Sequence, residues 1–192
     1  MKKLLLHIFL VVSLSIFAQD KDSTQYQALE KIKLYNPFDS ILFDSMVAYN
    51  FHVDRTTFQP LATHEQLILR NGYFDQSTIF PGKTLTKTQT ERFIKVVIDT
   101  STYGEHTAAC FEPHLAFVLY KNGKPINSIN VCFMCKFLEA DFKIPAEEYY
   151  CIDYGIINGK RSIYCLEGFS DIGESSLISF CEELKMPFCV RK

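Results

Sequence analysis

The 192-residue chain has no tryptophan, 8 glycines, 7 prolines and no strong excess of either charge, with 20 Lys and Arg against 22 Asp and Glu. So few Gly and Pro beside 47% hydrophobic residues exclude collagen-like, low-complexity and wholly disordered organisation. Without a Lys/Arg block there is no electrostatic footprint for nucleic acid or for an anionic lipid surface. H-E-x-x-H, G-x-S-x-G and a glycine-rich phosphate loop are all missing. Their absence withdraws the zinc-protease, hydrolase and nucleotide chemistries that those patterns serve. His64-Glu65 and His106 beside Glu105 have no nucleophile with an orienting third group nearby. Asp39, Asp44 and Asp141 are too scattered to nominate an acid/base pair.

What is present starts with a leader. Lys2 and Lys3 precede an apolar stretch from Leu4 to Phe17, followed by Ala18 and the polar Gln19-Asp20-Lys21. This charged, apolar, small layout predicts a secretory signal peptide over 1–18, cleaved after Ala18, and a single domain over 19–192. The stretch falls short of the ~20 residues that a helix needs to cross a bilayer, so no stable membrane insertion is expected after cleavage. The mature chain is expected in the periplasm or secreted. All 7 cysteines (Cys110, Cys132, Cys135, Cys151, Cys165, Cys181 and Cys189) survive cleavage. Export makes disulfides the default, and an odd count leaves one thiol over, metal-bound or paired between chains.

Residues 19–37 read as a polar lead-in with at most a short helix around Tyr26, Leu29, Ile32 and Lys33, ended by Pro37. Met46, Ala48 and Asn50 alternate with Val47, Tyr49 and Phe51, which predicts a strand over 45–53. Apolar residues on both sides of Asn71-Gly72 predict a tight hairpin. Pro81-Gly82 breaks the chain. Thr86 and Gln89 then match a capping box, and Phe93, Ile94, Val97 and Ile98 recur at helical spacing, so a helix is expected over 87–99. Thr100 to Glu105 reads as a surface loop.

From Cys110 the pattern changes to hairpins. HLAFVLY and PINSINVCF flank KNGK, and EYYCIDYGII and KRSIYCLEGF flank Asn158-Gly159. Asp171 and Glu174 resemble a cap pair, and Ile172, Leu177, Ile178, Cys181 and Leu184 share a stripe, which predicts a terminal helix over 172–185 stopped near Pro187. Strands that come as adjacent hairpins rather than alternating with helices point to an α+β fold, an antiparallel sheet covered by two helices.

The chemically loaded stretch runs from Cys110 to Cys135. A two-residue turn at Asn122-Gly123 sets Lys121 opposite Lys124 and, counting along both strands, Cys110 opposite Cys135 and His114 beside Cys132. In a regular ladder Cys110, His114 and Cys135 share a face while Cys132 points away. With a kink near Pro113 or a knuckle at CFMC, Cys110, His114, Cys132 and Cys135 supply a closed tetrahedral zinc site. Without it, Cys110 and Cys135 stand close enough for a cross-strand disulfide and Cys132 is a buried thiol. A third reading is thiol–disulfide exchange, if KFLEADF after the C-x-x-C were a helix that lowers the first thiol's pKa; the βαβ unit that should precede such a motif is missing. Counting from Asn158-Gly159 leaves Cys151 and Cys165 as diagonal neighbours, one bulge away from pairing. Cys181 reads as helix packing, and Cys189 reaches Cys181 or stays free.

The pieces CFEPHLAFVLY, NGKPI and INVCFMC resemble a family of exported bacterial proteins of uncharacterised activity, with a Cys-aromatic-x-Pro start and a Cys-Phe-x-Cys end around a hairpin. LTKTQTERFIKVVID and the closing Leu184-Lys185-Met186-Pro187 are similar too, so the likeness covers residues 84–136 and the tail. The resemblance implies that Cys110, Pro113, His114, Cys132 and Cys135 act as a unit. It brings no activity with it.

Two functions are therefore expected. In one, the chain is an exported non-catalytic domain whose Cys/His cluster staples a sheet by zinc or by disulfides, and which binds a protein or small-molecule partner. In the other, it is an extracytoplasmic thiol-redox or metal-dependent enzyme that works through the same cluster.

Overall fold

The computed structural model describes residues 33–51, 67–70, 72–75, 78–108, 111–187 and 189. The expected signal peptide, the lead-in helix, His64-Glu65 and Cys110 lie outside the described residues. The architecture is α+β, as the hairpin pattern predicts. A five-stranded antiparallel sheet has the order β4 (Thr78–Thr84), β1 (Ser45–Phe51), β6 (Leu115–Lys121), β7 (Lys124–Cys132), β8 (Phe137–Ala140). Three two-stranded ribbons accompany it: β2 (Leu69–Arg70) with β3 (Tyr73–Phe74), β5 (Tyr103–Glu105) with β11 (Gly168–Phe169), and β9 (Cys151–Ile157) with β10 (Lys160–Cys165).

Helix α1 (Lys87–Val97) starts as its sequence dictates. Thr86 Oγ1 accepts from Gln89 N–H at 3.2 Å, and Gln89 Oε1 accepts from Thr86 N–H at 2.9 Å, a complete capping box. Helix α2 (Asp171–Glu183) begins one residue earlier than the Asp171/Glu174 pair suggests: Ser170 Oγ is the cap, accepting from Gly173 N–H at 3.0 Å. Ile172 consequently sits exposed on the first turn rather than on the buried stripe. Gly173 has no alternative, because a Cβ there would stand 2.2 Å from the Thr102 carbonyl oxygen.

The two helices cover one face of the sheet. Met46, Ala48, Leu115, Phe117, Leu119, Ile129 and Val131 meet Phe93 and Val97 of α1 and Leu177, Phe180 and Cys181 of α2. Phe117 is the hub, with ring centroids 3.9 Å from Phe93 and 6.0 Å from Phe180. Arg92 joins the helices by pairing with Glu183 and lying 5.0 Å from the Phe180 ring centroid. The other face packs Tyr49, Ala116 and Val118 against Ile68 and Leu69. The side chain of Asn130 holds that cover in place, its Oδ1 accepting from Ile68 N–H at 2.9 Å.

Two expectations fail. Pro81-Gly82 does not break the chain but lies inside β4, where a register shift opposite Ala48–Asn50 absorbs the irregular residues. β4 is the last strand in the sheet order, a position that tolerates a proline without a backbone donor. Residues 100–105 are a 3-10 turn (Thr100–Thr102) followed by β5, with Tyr103 buried and its hydroxyl donating to the Val97 carbonyl at 2.7 Å. A strand of three residues is too short to show alternation.

Phe117→Ala removes the ring that both helices share and should cost about 3–5 kcal/mol in urea unfolding. A loss under about 1 kcal/mol would show that the helices do not depend on that ring.

Candidate functional site

The cysteine-rich end of the sheet is assembled by a slip in register. Lys121 faces Lys124 and Tyr120 faces Pro125, but Leu119 faces Asn127, which leaves Ile126 as an extra residue on β7. Pro125 has no N–H to give the ladder, so pairing is already weakened where the bulge forms. Farther on, Leu115 faces Val131, a register that, extended by one residue, sets His114 against Cys132. Opposed residues share a sheet face, so a slip of one residue reverses the expected grouping of His114 with Cys135. The count that set Cys110 opposite Cys135 no longer holds.

β7 ends at Cys132 and β8 begins at Phe137, with Lys136 in the intervening turn at φ 61°. That turn closes a disulfide between Cys132 and Cys135, with Cα atoms 5.2 Å apart and both residues buried. Cys135 is thus paired with its neighbour three residues back rather than across the hairpin. The segment before β6 lies against the bridge: Glu112 N–H donates to Cys135 Sγ at 3.3 Å, and Cys132 Sγ stands 3.3 Å from the Glu112 carbonyl oxygen. The Cys135 carbonyl accepts from Ala108 N–H at 3.0 Å, and the Lys136 carbonyl accepts from Phe169 N–H at 2.6 Å. Lys136 Nζ lies 3.7 Å from Glu174 Oε2 on α2. One four-residue turn therefore joins segments 106–108 and 111–114, β11 and α2.

The chemistry follows from this geometry. Zinc takes thiolates, and oxidised Cys132 and Cys135 have none to give. Among the described residues no group of three or more His, Cys, Asp or Glu is placed to hold a metal. His114 is half-buried, and its carbonyl accepts from Asn50 Nδ2 at 2.8 Å. A strand, not a helix, follows the C-x-x-C, so the motif does not open a helix as it does in thioredoxin-like exchange proteins. Asp44 and Asp141 have structural posts, accepting from Asn122 N–H at 2.7 Å and Ser128 N–H at 2.6 Å.

Two further bridges serve other seams. In the β9–β10 ribbon, Arg161 faces Ile156 but Ile163 faces Asp153, so two residues of β9 stand against one of β10. The bulge uses Gly155 at φ 73°, whose N–H donates to Asp153 Oδ1 at 2.9 Å. It advances β10 by one residue and sets Cys165 opposite Cys151, and the two are bonded. Cys181 and Cys189 bond the buried side of α2 to the tail. Cys181 is thus both packed and cross-linked.

Nothing in the sequence pattern singled out Glu147, one of the doublet Glu147-Glu148. Burial pushes its carboxyl well above the ordinary 4.5, and the like charges of Glu167, Glu148 and Glu139 push it further. Glu167 is raised by burial and by Glu148. A carboxyl whose folded value is raised leaves stability intact below its unfolded value and lowers it as pH rises through the folded one. Glu147→Gln should therefore melt with the wild type near pH ~4 and above it near pH ~8. Equal melting temperatures at the higher pH would mean that Glu147 is solvated once charged.

Comparison with known proteins finds no matching family model, curated protein or solved structure.

Proposed function

We propose that this chain is an exported, non-catalytic domain whose Cys/His end is a structural staple made by disulfide chemistry, and which binds a protein or small-molecule partner. The carrying observation is the Cys132–Cys135 bridge, buried and in a turn whose residues bond three other stretches of backbone. A working thiol needs an accessible sulfur, and this pair offers none. Three disulfides are the chemistry of an oxidising, extracytoplasmic compartment. The signal-peptide layout of residues 1–18 and the likeness to exported bacterial proteins support the same reading. No helix among the described residues is long and apolar enough to cross a membrane.

Intact mass under alkylation tests the staple. Six of the 7 cysteines are bridged, so the denatured protein should take a single label, at Cys110, without reductant, and a label on every cysteine with it. A native mass carrying one zinc, with Cys110, Cys132 and Cys135 all labelled after denaturation, would replace the staple by the Cys110/His114/Cys132/Cys135 metal site. The double variant Cys132→Ala/Cys135→Ala should lose about 2 kcal/mol in urea unfolding, the order expected for closing so short a loop. Wild-type stability in that variant would leave the bridge without a folding role and return the pair to redox chemistry.

A further inference from the structure

We propose that the β9–β10 ribbon is a membrane-docking element whose tip seats in the interface of a lipid bilayer. Among the described residues, β9 and β10 pair only with each other. Residues 154–161 are all exposed, and they include Tyr154, Ile156 (72% exposed) and Ile157 (49% exposed). Two adjacent isoleucines beside the Asn158-Gly159 turn of an exposed hairpin form, with Tyr154, an apolar patch open to solvent.

The register says what kind of cover fits. Ile156 opposes Arg161, and Ile163 opposes Asp153, so these four share one face. Ile157 opposes Lys160 and Tyr164 opposes Ile152, on the other face. A protein partner lying on either face would leave the isoleucine of the opposite face in water. Lipid surrounds both. The charges agree: Arg161 donates through Nε and Nη2 to Asp153 Oδ2 at 3.0 and 2.6 Å, so the acid near the tip is neutralised. Lys160 has a long stem that lets its ammonium stay at the headgroups while Ile157 goes deeper.

The depth is right as well. Tyr154 lies two to three residues behind the isoleucines, roughly 7–10 Å at strand rise, which leaves its amphipathic ring at headgroup level when the isoleucines enter the acyl boundary. His106 stacks on Tyr164 at 5.7 Å between centroids, which marks where the ribbon meets the body. Docking of this kind is driven by apolar area and needs no basic patch, so the mild acidity of the chain is compatible with it. The proposal uses the staple reading at one point only, the Cys151–Cys165 bridge that closes the base of a ribbon otherwise marginal in water.

The absence of tryptophan supplies the test. In the full oxidised protein, Ile157→Trp places a single indole at the tip, and Tyr73→Trp places one on an exposed strand of a different ribbon. Titration with phosphatidylcholine vesicles should shift the emission of the first variant to the blue, with little dependence on salt, and leave the second unchanged. Ile156→Ser/Ile157→Ser should lower vesicle partitioning of the otherwise native chain about tenfold or more. No shift with saturating vesicles would overturn the proposal. So would a shift that needs no vesicles and grows with protein concentration, the mark of two chains pairing through their ribbons. Intact mass on the same samples reads the Cys151–Cys165 bridge, so a closed ribbon that ignores vesicles defeats docking while leaving the staple standing.

Discussion

Two strand segments that face no water carry the rest of the fold. Leu115 to Leu119 of β6 and Ser128 to Cys132 of β7 are buried at every residue. Burial on both faces obliges the chain to supply two covers, the α1–α2 layer on one side and the small β2–β3 ribbon with Tyr49 on the other. It also obliges the polar members of β7 to be partnered. Ser128 is held by the Asp141 carboxylate through its N–H and hydroxyl, and Asn130 bonds Ile68 N–H, Ser128 Oγ and the Glu139 carbonyl. These buried bonds fix where the covers sit, because an unsatisfied amide there would cost on the order of 1–3 kcal/mol.

The parts of the fold that were legible in the sequence are those decided within a few residues. Thr86 and Gln89 announce α1 because both groups of the capping box lie on one turn of chain. Asn158-Gly159 announces the second ribbon because its turn demands positive φ, and both residues have it. The parts that were illegible depend on distant partners. β5 and β11 are strands only because they meet each other across more than sixty residues of sequence. Pro81-Gly82 fits within β4 because β4 lies at the sheet's margin, a position the local sequence does not reveal.

The candidate site shows the same division. The tight turn was read correctly from Asn122-Gly123, yet a single extra residue at Ile126 changes which side chains share a face all the way to Val131. Proline at 125 was the available signal, since it forfeits a ladder donor next to the turn. The spacing of Cys110, His114, Cys132 and Cys135 suits a four-ligand site as well as a local bridge, and the backbone turn at Phe133–Lys136 brings Cys132 and Cys135 together. The raised carboxyl of Glu147 has only an acidic doublet to mark it, because the burial that chiefly raises it, and the charge of Glu167 that adds to it, come from the folded chain and not from the doublet.

The connectivity of the bridges bears on how the chain acquires them. Each native bond joins two cysteines with no other cysteine between them, at separations of 3, 14 and 8 residues. Cys110 precedes all six. An oxidase that coupled thiols strictly in order of emergence would begin with Cys110 and Cys132, then join Cys135 to Cys151 and Cys165 to Cys181, stranding Cys189. One unpaired residue at the head of the series puts every later bond out of phase. Under strictly sequential oxidation, the native bonds are reached either by folding that draws β7 into its turn before oxidation, or through an isomerase that repairs the phase afterwards.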